Sequence, residues 1–325
     1  MKIFVTGGSG FIGTKLTMDL LKAGHKVTIF DKRLSEAYPY LCIVGDVRDK
    51  EKLTSSMRGF GAVYHLAAEH RDNVRPASLY YDVNVGGAEN IVYALEKNGI
   101  NRLVFTSSVA VYGLNTEEPN EDSPIKPFND YGLSKYKSEV VFEKWVTTND
   151  KKSFVMVRPA VIFGEKNRGN VYNLLNQIAS DRFIMVGQGK NKKSMGYVLN
   201  LTSFLTILLN SGPGKFVYNY ADKPDLTTDE LFKITRAALG RKPEINIRVP
   251  YVFGLLGGYV YDFLAKVNKK SYPISSIRIK KFNADTRISA EKLRQSGFKA
   301  PYLLTDGLKR MISSEFLQNF KRNHL

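Results

Sequence analysis

The stretch Lys2–Asp31 constrains this chain most. Lys2–Thr6 reads as a short apolar strand that runs into Gly7-Gly8-Ser9-Gly10-Phe11-Ile12-Gly13. An amphipathic helix follows to about Ala23, and Lys26–Phe30 is a second strand that ends at Asp31. Strand, glycine turn, helix, strand and acid in that order define a βαβ unit. Gly7, Gly10 and Gly13 let the backbone approach a pyrophosphate, which rests on the helix N-terminus at Phe11 and Ile12. Asp31 can accept both hydroxyls of an adenosine ribose, which favours NAD over NADP. Lys32 and Arg33 blur that preference, because a nearby cation can hold a 2′-phosphate.

The alternation continues. Leu41–Val44 ends in Gly45-Asp46-Val47, and Ala62–His65 ends in Leu66-Ala67-Ala68, where small residues let a ligand run close to the backbone. Leu103–Thr106 leads into Ser107-Ser108, and Phe154–Arg158 is a further strand. Helical patterns cover Val83–Lys97 and run from Tyr131 to about Thr148. Strands alternating with helices predict an α/β, doubly wound parallel sheet of Rossmann type. Ligands bind such sheets at the carboxyl ends of the strands, so Gly7–Gly13, Asp31, Asp46, Ala67 and Ser108 should converge.

After Gly164 the pattern loosens. Asn170–Ala179 and Thr228–Leu239 read as helices, the second capped by Thr227 or Thr228, and Lys215–Tyr220 as a strand. The expected division is a dinucleotide-binding domain over residues 1–165, with a further strand near 196–222. Residues 166–195 and 223–325 then form a substrate-binding region. Pro250–Val267 is very apolar and is followed by Lys266, Lys269 and Lys270. A buried helix is the expectation here, and a helix lying in a membrane interface is the alternative.

The 325 residues carry a formal net charge of +17, clustered at 190–193, 266–270, 278–281 and 321–322. That excess suits an anionic partner, such as a phosphate-bearing substrate or an anionic membrane surface. No helix-turn-helix, zinc-finger or RNA-binding signature is present, so nucleic acid is not an expected partner, and no metal ligand set is expected. Cys42, the single cysteine, excludes an intramolecular disulfide and fits a reducing compartment. The N-terminus is broken by glycine too soon for a signal peptide, and no apolar run is long enough to span a bilayer.

Tyr131 and Lys135 stand four residues apart on one helix face, with Asn129 and Asp130 as cap candidates just before them. A phenol ionises near pH ~10. A neighbouring ammonium and the positive end of a helix both favour the phenolate, so a lowered value and a role as proton acceptor for an alcohol are expected.

Thr106-Ser107-Ser108-Val-Ala-Val-Tyr112-Gly113, Tyr131-xxx-Lys135, Arg158-Pro159 and Gly164, together with the Gly7–Gly13 turn, resemble the extended short-chain dehydrogenase/reductase family. The resemblance covers essentially the whole chain. It implies that Ser108, Tyr131 and Lys135 form the catalytic set, with Ser108 on the reacting oxygen of the substrate. It also implies that Asp46, Val47, Leu66, Ala67, Ala68, Asn84, Thr106 and Pro159 surround NAD. Family dehydratases carry an Asp-Glu pair after the hydroxyl residue, whereas Val109 and Ala110 stand here, so dehydration is not expected. A 4-epimerase, which removes and returns a hydride, is the expected activity. Arg168, Lys193 and Arg278 are the candidate cations for a sugar diphosphate, Lys193 standing where family epimerases often have Arg.

Ala67–Asp72, Phe163–Tyr172 and Lys192–Met195 look like the enterobacterial branch that acts on N-acetylglucosamine diphosphate undecaprenol in O-antigen biosynthesis. That likeness implies a polyprenyl-linked amino sugar at the cytoplasmic face of the inner membrane. His70 stands where UDP-galactose epimerases have Lys, and Val161 where they have Asn. A UDP-linked substrate, or a sugar reductase or dehydrogenase, remains the alternative. A homodimer is implied by resemblance only.

Overall fold

The computed structural model describes residues 1–317 apart from 72–73, 115–116, 246 and 269–274, and it describes no side chain at 278 or 281. By contact the chain divides into two units: Met1–Ile162 with Val198–Ala221 and Ile288–Tyr302, and Phe163–Tyr197 with Asp222–Arg287 and the residues from Leu303 on.

In the first unit seven strands form one sheet: β1 (Lys2–Thr6), β2 (Lys26–Asp31), β3 (Cys42–Val44), β4 (Ala62–His65), β5 (Arg102–Thr106), β6 (Ser153–Pro159) and β7 (Gly214–Tyr220). Their order is β7-β6-β5-β4-β1-β2-β3, and each neighbouring pair is parallel. The direction of strand succession reverses at β1, between β2 and β4. That reversal opens a crevice at the carboxyl ends of β1 and β4.

Strand alternation sends successive side chains to opposite faces. Ile3 and Val5 face α1 (Phe11–Lys22) and a later helix, Val198–Ile207, through Leu16, Leu20, Leu201, Phe204 and Leu205. Phe4 and its neighbours face the other way, onto Leu53, Ile91, Leu95, Phe142 and Trp145. These come from Lys50–Ser56, α2 (Gly86–Lys97) and α3 (Asp130–Val146). Each fully buried aromatic of this kind contributes about 1.5–3 kcal/mol.

The helix Val198–Ile207 escapes a reading of the sequence. Its apolar residues run almost without a polar face, and buried Asn200 and Thr202 fall among them, so no amphipathic stripe marks it. Ile288–Tyr302 also differs from expectation. The expected division puts it in the substrate-binding region, yet Ala290, Leu293 and Phe298 pack into the first unit's core.

The second unit pairs Lys192–Tyr197 with Asp222–Thr227 antiparallel. The helix Thr228–Ala238 starts with a capping box: the Thr227 hydroxyl accepts the Glu230 N–H at 3.1 Å, and the Glu230 carboxylate accepts the Thr227 N–H at 2.8 Å. Ile178, Phe183, Met185 and Phe232 make a small core. The segment expected to be a buried helix is instead a largely exposed one, Tyr251–Asn268, in which only Gly258 is buried. The reason lies in where its glycines fall. Gly254 meets Val186 and Gly258 meets Ser276, so the side without side chains packs inward and the apolar side chains point away.

Candidate active site

At the end of β1, Gly7 adopts a φ of +73°, and a Cβ there would stand 2.5 Å from the Ala67 nitrogen. Only glycine lets the two strand ends touch. Gly13 is closed in by the backbone of Gly7 and Gly8, whereas Gly10 faces open space beyond one carbonyl. Gly10 caps α1 without a side-chain bond, and no acid lies in the first turn. The first N–H groups at Phe11 and Ile12 therefore remain available to an anion.

Asp31 is fixed by two backbone donors, the Ser9 N–H at 3.0 Å and the Arg33 N–H at 3.1 Å. A carboxylate accepts about four hydrogen bonds, so capacity for a diol remains. The Lys32 ammonium lies 3.8 Å from the Glu69 carboxylate, which draws it away from a role beside a 2′-phosphate. These features fit a dinucleotide with an unmodified ribose.

Other candidates near the strand ends sit as follows. Asp46 is chelated by Arg48 at 3.0 and 2.7 Å, and those hydrogen bonds hold its carboxyl below the usual range. Val47 is buried, its carbonyl taken by Asn90 at 3.0 Å. Pro159 closes β6. Asn84, an expected cofactor contact, is buried behind the loop after β4. Its amide is spent on the Glu69 backbone at 2.8 and 3.1 Å and on the Ser134 hydroxyl at 2.9 Å, so it braces the loop after β4 against α3.

Asn129 caps α3 by accepting the Gly132 N–H at 2.8 Å, which puts Tyr131 in the first turn. A Cβ on Gly132 would meet the Ala110 carbonyl at 2.5 Å. The helix start therefore presses on the turn Val109–Tyr112, which Ser108 caps through the Ala110 N–H at 3.2 Å. In this way Ser108 comes near enough to Tyr131 to favour its phenolate.

The expected lowering of the Tyr131 phenol does not occur in the chain by itself. Burial pushes it up, Ser108 pulls it down, and Tyr80, with its ring 6.4 Å away, pushes it up again. Lys135 is buried, and burial brings it down to about 7 while Glu139 opposes the shift. Its ammonium donates to the Thr106 carbonyl at 2.6 Å and lies 4.2 Å from the Phe105 ring centre.

Beneath these groups runs a buried network that the motifs do not reveal. Glu139 accepts from Arg158 at 3.0 and 2.8 Å and from the Ser107 hydroxyl. Arg158 also donates to the Tyr112 hydroxyl at 2.8 Å, and Tyr112 donates to Asn219 at 2.7 Å. A signal exists in the sequence: Tyr131, Lys135 and Glu139 are spaced by four, and Ser134 and Ser138 run beside them.

His70 is exposed at the end of the loop after β4. Arg168, Lys193 and Arg278 belong to the second unit. Arg168 pairs with Glu315 at 2.8 Å and lies over the Tyr172 ring. Lys193 donates to the Ala284 carbonyl at 3.2 Å, and burial lowers its value. The Arg278 side chain lies outside the described residues.

A glycine-cradled crevice, a fixed acid at the end of β2, and Ser108, Tyr131 and Lys135 near the ends of β5 and α3 fit a dinucleotide site on a Rossmann sheet. The sequence profile of the NAD dependent epimerase/dehydratase family matches residues 3–221, and the chain belongs to that family. It is 48% identical over 317 residues, 97% of this chain and 95% of the relative, to the N-acetyl-alpha-D-glucosaminyl-diphospho-ditrans,octacis-undecaprenol 4-epimerase of Escherichia coli O157:H7. It is 29% identical over 269 residues, 76% of this chain and 72% of the relative, to a 3-beta-hydroxysteroid dehydrogenase of Mycolicibacterium neoaurum. The UDP-glucose 4-epimerase of Thermus thermophilus, solved with NAD, shares the fold at a TM-score of 0.75 and 23% identity, over 97% of this chain and 98% of that one.

Proposed function

We propose that this protein is an NAD-dependent 4-epimerase that converts N-acetylglucosamine diphosphate undecaprenol to its N-acetylgalactosamine form for surface polysaccharide assembly. The observation that carries the reading is the 48% identity, over 97% of this chain, with a 4-epimerase of that substrate, in a chain that carries Ser108, Tyr131 and Lys135. NAD, when bound, accepts the hydride from C4 and gives it back. Gly7, Gly10, Gly13 and Asp31 would hold it, with Thr106 and Lys135 also proposed to contact it.

Ser108 donates a hydrogen bond to the reacting oxygen and orients it. Tyr131 takes the proton of the C4 hydroxyl and returns it to the inverted one. A phenol raised by burial is a poor base at pH 7, so this step needs a cation close by; Lys135, one turn along, is proposed to supply it when protonated. Val109 and Ala110 have no proton to give to a leaving hydroxyl, which keeps the chemistry to oxidation and reduction. Arg168 and Lys193 are proposed to hold the diphosphate, leaving the sugar free to turn over between the two half-reactions. His70 is proposed to contact the sugar.

The reading includes a homodimer and peripheral attachment at the cytoplasmic leaflet. No described helix is long and apolar enough to cross a membrane. The test is turnover of radiolabelled N-acetylglucosamine on undecaprenyl diphosphate and, separately, on UDP. The expected result is 4-epimer from the lipid with no net NADH. Full-rate turnover of the UDP sugar alone, or steady accumulation of NADH, overturns the proposal.

A further inference from the structure

The helix Tyr251–Asn268 has the composition of a core element and the exposure of a surface one. Val252, Phe253, Leu256, Val260, Phe263 and Val267 are each more than half exposed, at 54–66%. At ~100° per residue these six fall within ~100° of arc, one unbroken apolar stripe. Gly254 and Gly258 project on the opposite side, where they meet Val186 and Ser276. The helix is therefore seated on its own unit by its glycine side, and Asp262 on the inward flank accepts the Ser276 N–H at 3.1 Å. The apolar stripe is what this seating leaves outward, and Ile277 on the next helix is exposed at 61% as well. A contiguous exposed apolar stripe, unlike scattered apolar residues, is the kind of surface that marks an interaction site.

Cations flank the edge of the stripe, while Asp262 beside them is turned onto the Ser276 N–H. Lys266 follows Tyr259 by two turns along that edge, and the Lys280 ammonium lies 5.4 Å from the Tyr259 ring centre. The chain as a whole carries +17. Lys269 and Lys270, which come next in the sequence, lie outside the described residues. An apolar stripe, an edge tyrosine and neighbouring cations match the layers of a bilayer interface: acyl chains, headgroup boundary and anionic headgroups.

We infer that Tyr251–Asn268 is an interfacial helix that lays Val252, Phe253, Leu256, Val260, Phe263 and Val267 into an anionic lipid surface, with Lys266 and Lys280 on the headgroups. The occupant of the stripe is a bilayer. A second copy of the chain would meet it with another cationic edge. The inference deepens the proposed function, since a polyprenyl-linked sugar has to be reached at a bilayer. Its test therefore uses no substrate.

The purified full-length protein is sedimented with vesicles of phosphatidylglycerol and phosphatidylcholine, and with phosphatidylcholine alone, at low and high salt. The protein should pellet with the anionic vesicles at low salt and be released by salt. The double substitution Phe253→Glu with Phe263→Glu should reduce partitioning about tenfold or more, because two apolar anchors are lost and two like charges face the headgroups. Wild-type protein that stays in the supernatant overturns the inference, and so does a double variant that pellets like wild type. A variant that turns a dimer into a monomer in light scattering without changing its partitioning assigns the stripe to a second copy instead. Should the double variant lose its thermal transition, Lys266→Glu with Lys280→Glu decides: partitioning must fall and its salt dependence flatten, and an unchanged profile is fatal. Failure of lipid-linked turnover with intact vesicle binding would strike the proposed function and leave this inference standing.

Discussion

Two helices of nearly equal length invert the usual relation between polarity and burial. Asp130–Val146 is polar in sequence, yet it buries Ser134, Lys135, Ser138 and Glu139. Tyr251–Asn268 is apolar in sequence, yet it buries only Gly258. Burying a polar group is costly unless a partner meets it, and leaving an apolar group in water forgoes its transfer energy. In the first helix the partners are inside the chain: Thr106 for Lys135, Arg158 and Ser107 for Glu139, and Asn84 for Ser134 and Ser138. In the second the chain supplies no cover for the stripe among the described residues. The first helix is finished by the fold, and the second calls for something other than the fold.

The largest effect should come from the polar helix. Tyr131→Phe removes one hydroxyl from a side chain held by its ring, so folding should be unchanged. Epimerisation should fall about 10²–10⁴-fold if the phenol moves the proton. The assay is single-turnover 4-epimer formation alongside a thermal melt. A variant that keeps its melt and its rate removes Tyr131 from the chemistry.

Next in size is Glu139→Gln. It leaves the Arg158 guanidinium buried beside a neutral amide, and breaking a buried pair of this kind costs about 3–5 kcal/mol. Urea unfolding should show that loss. A loss within ~0.5 kcal/mol would mean that Tyr112 and the Glu121 carbonyl satisfy Arg158 by themselves.

These two sites also mark what the sequence can reveal. Gly7–Gly13, Asp31 and the spacing of Tyr131 and Lys135 are legible because local chemistry dictates them: a turn that only glycine makes, and two side chains one helical turn apart. The parallel sheet is legible because strand and helix alternate at different periods. Glu139, Arg158, Tyr112 and Asn219 come from four separate elements, and only the sheet order brings them together. The raised Tyr131 phenol is hidden from the sequence for a related reason. Charge and helix direction can be read from spacing, but desolvation depends on the packing around the group, which the sequence does not show. The exposure of Tyr251–Asn268 is hidden because composition alone cannot say which side of an apolar helix carries its glycines.

His65 gives a smaller and graded effect. It is fully buried between Phe105 and Phe142, with its ring nitrogen 2.7 Å from the Thr6 hydroxyl. Burial, with Lys135 adding to it, brings it down to about 3. The folded value lies below the ~6.5 of an unfolded histidine. Its contribution to stability is therefore complete above pH ~6.5 and is lost as pH falls toward 3. The loss should approach ~1.4 kcal/mol per pH unit in that window. Urea midpoints between pH 7 and pH 4.5, compared with those of His65→Gln, isolate it. An equal slope in both proteins would assign the acid sensitivity elsewhere.

The smallest effect, that of Phe263→Ala, sharpens the comparison most when set against Phe142→Ala, because the residue type is held constant. Phe142 on the polar helix is 0% exposed and Phe263 on the apolar helix 66%. Phe142→Ala removes a ring from between Phe105 and Phe154 and should cost about 3–5 kcal/mol. Phe263→Ala removes a ring that water already surrounds and should change unfolding by no more than about 0.5 kcal/mol. Its effect should appear only with lipid present, as a weaker partition into anionic vesicles. If Phe263→Ala instead destabilised the lipid-free protein by about 2 kcal/mol or more, a scale proper to core truncations, the stripe would be covered within the protein itself, and the inversion between the two helices would disappear.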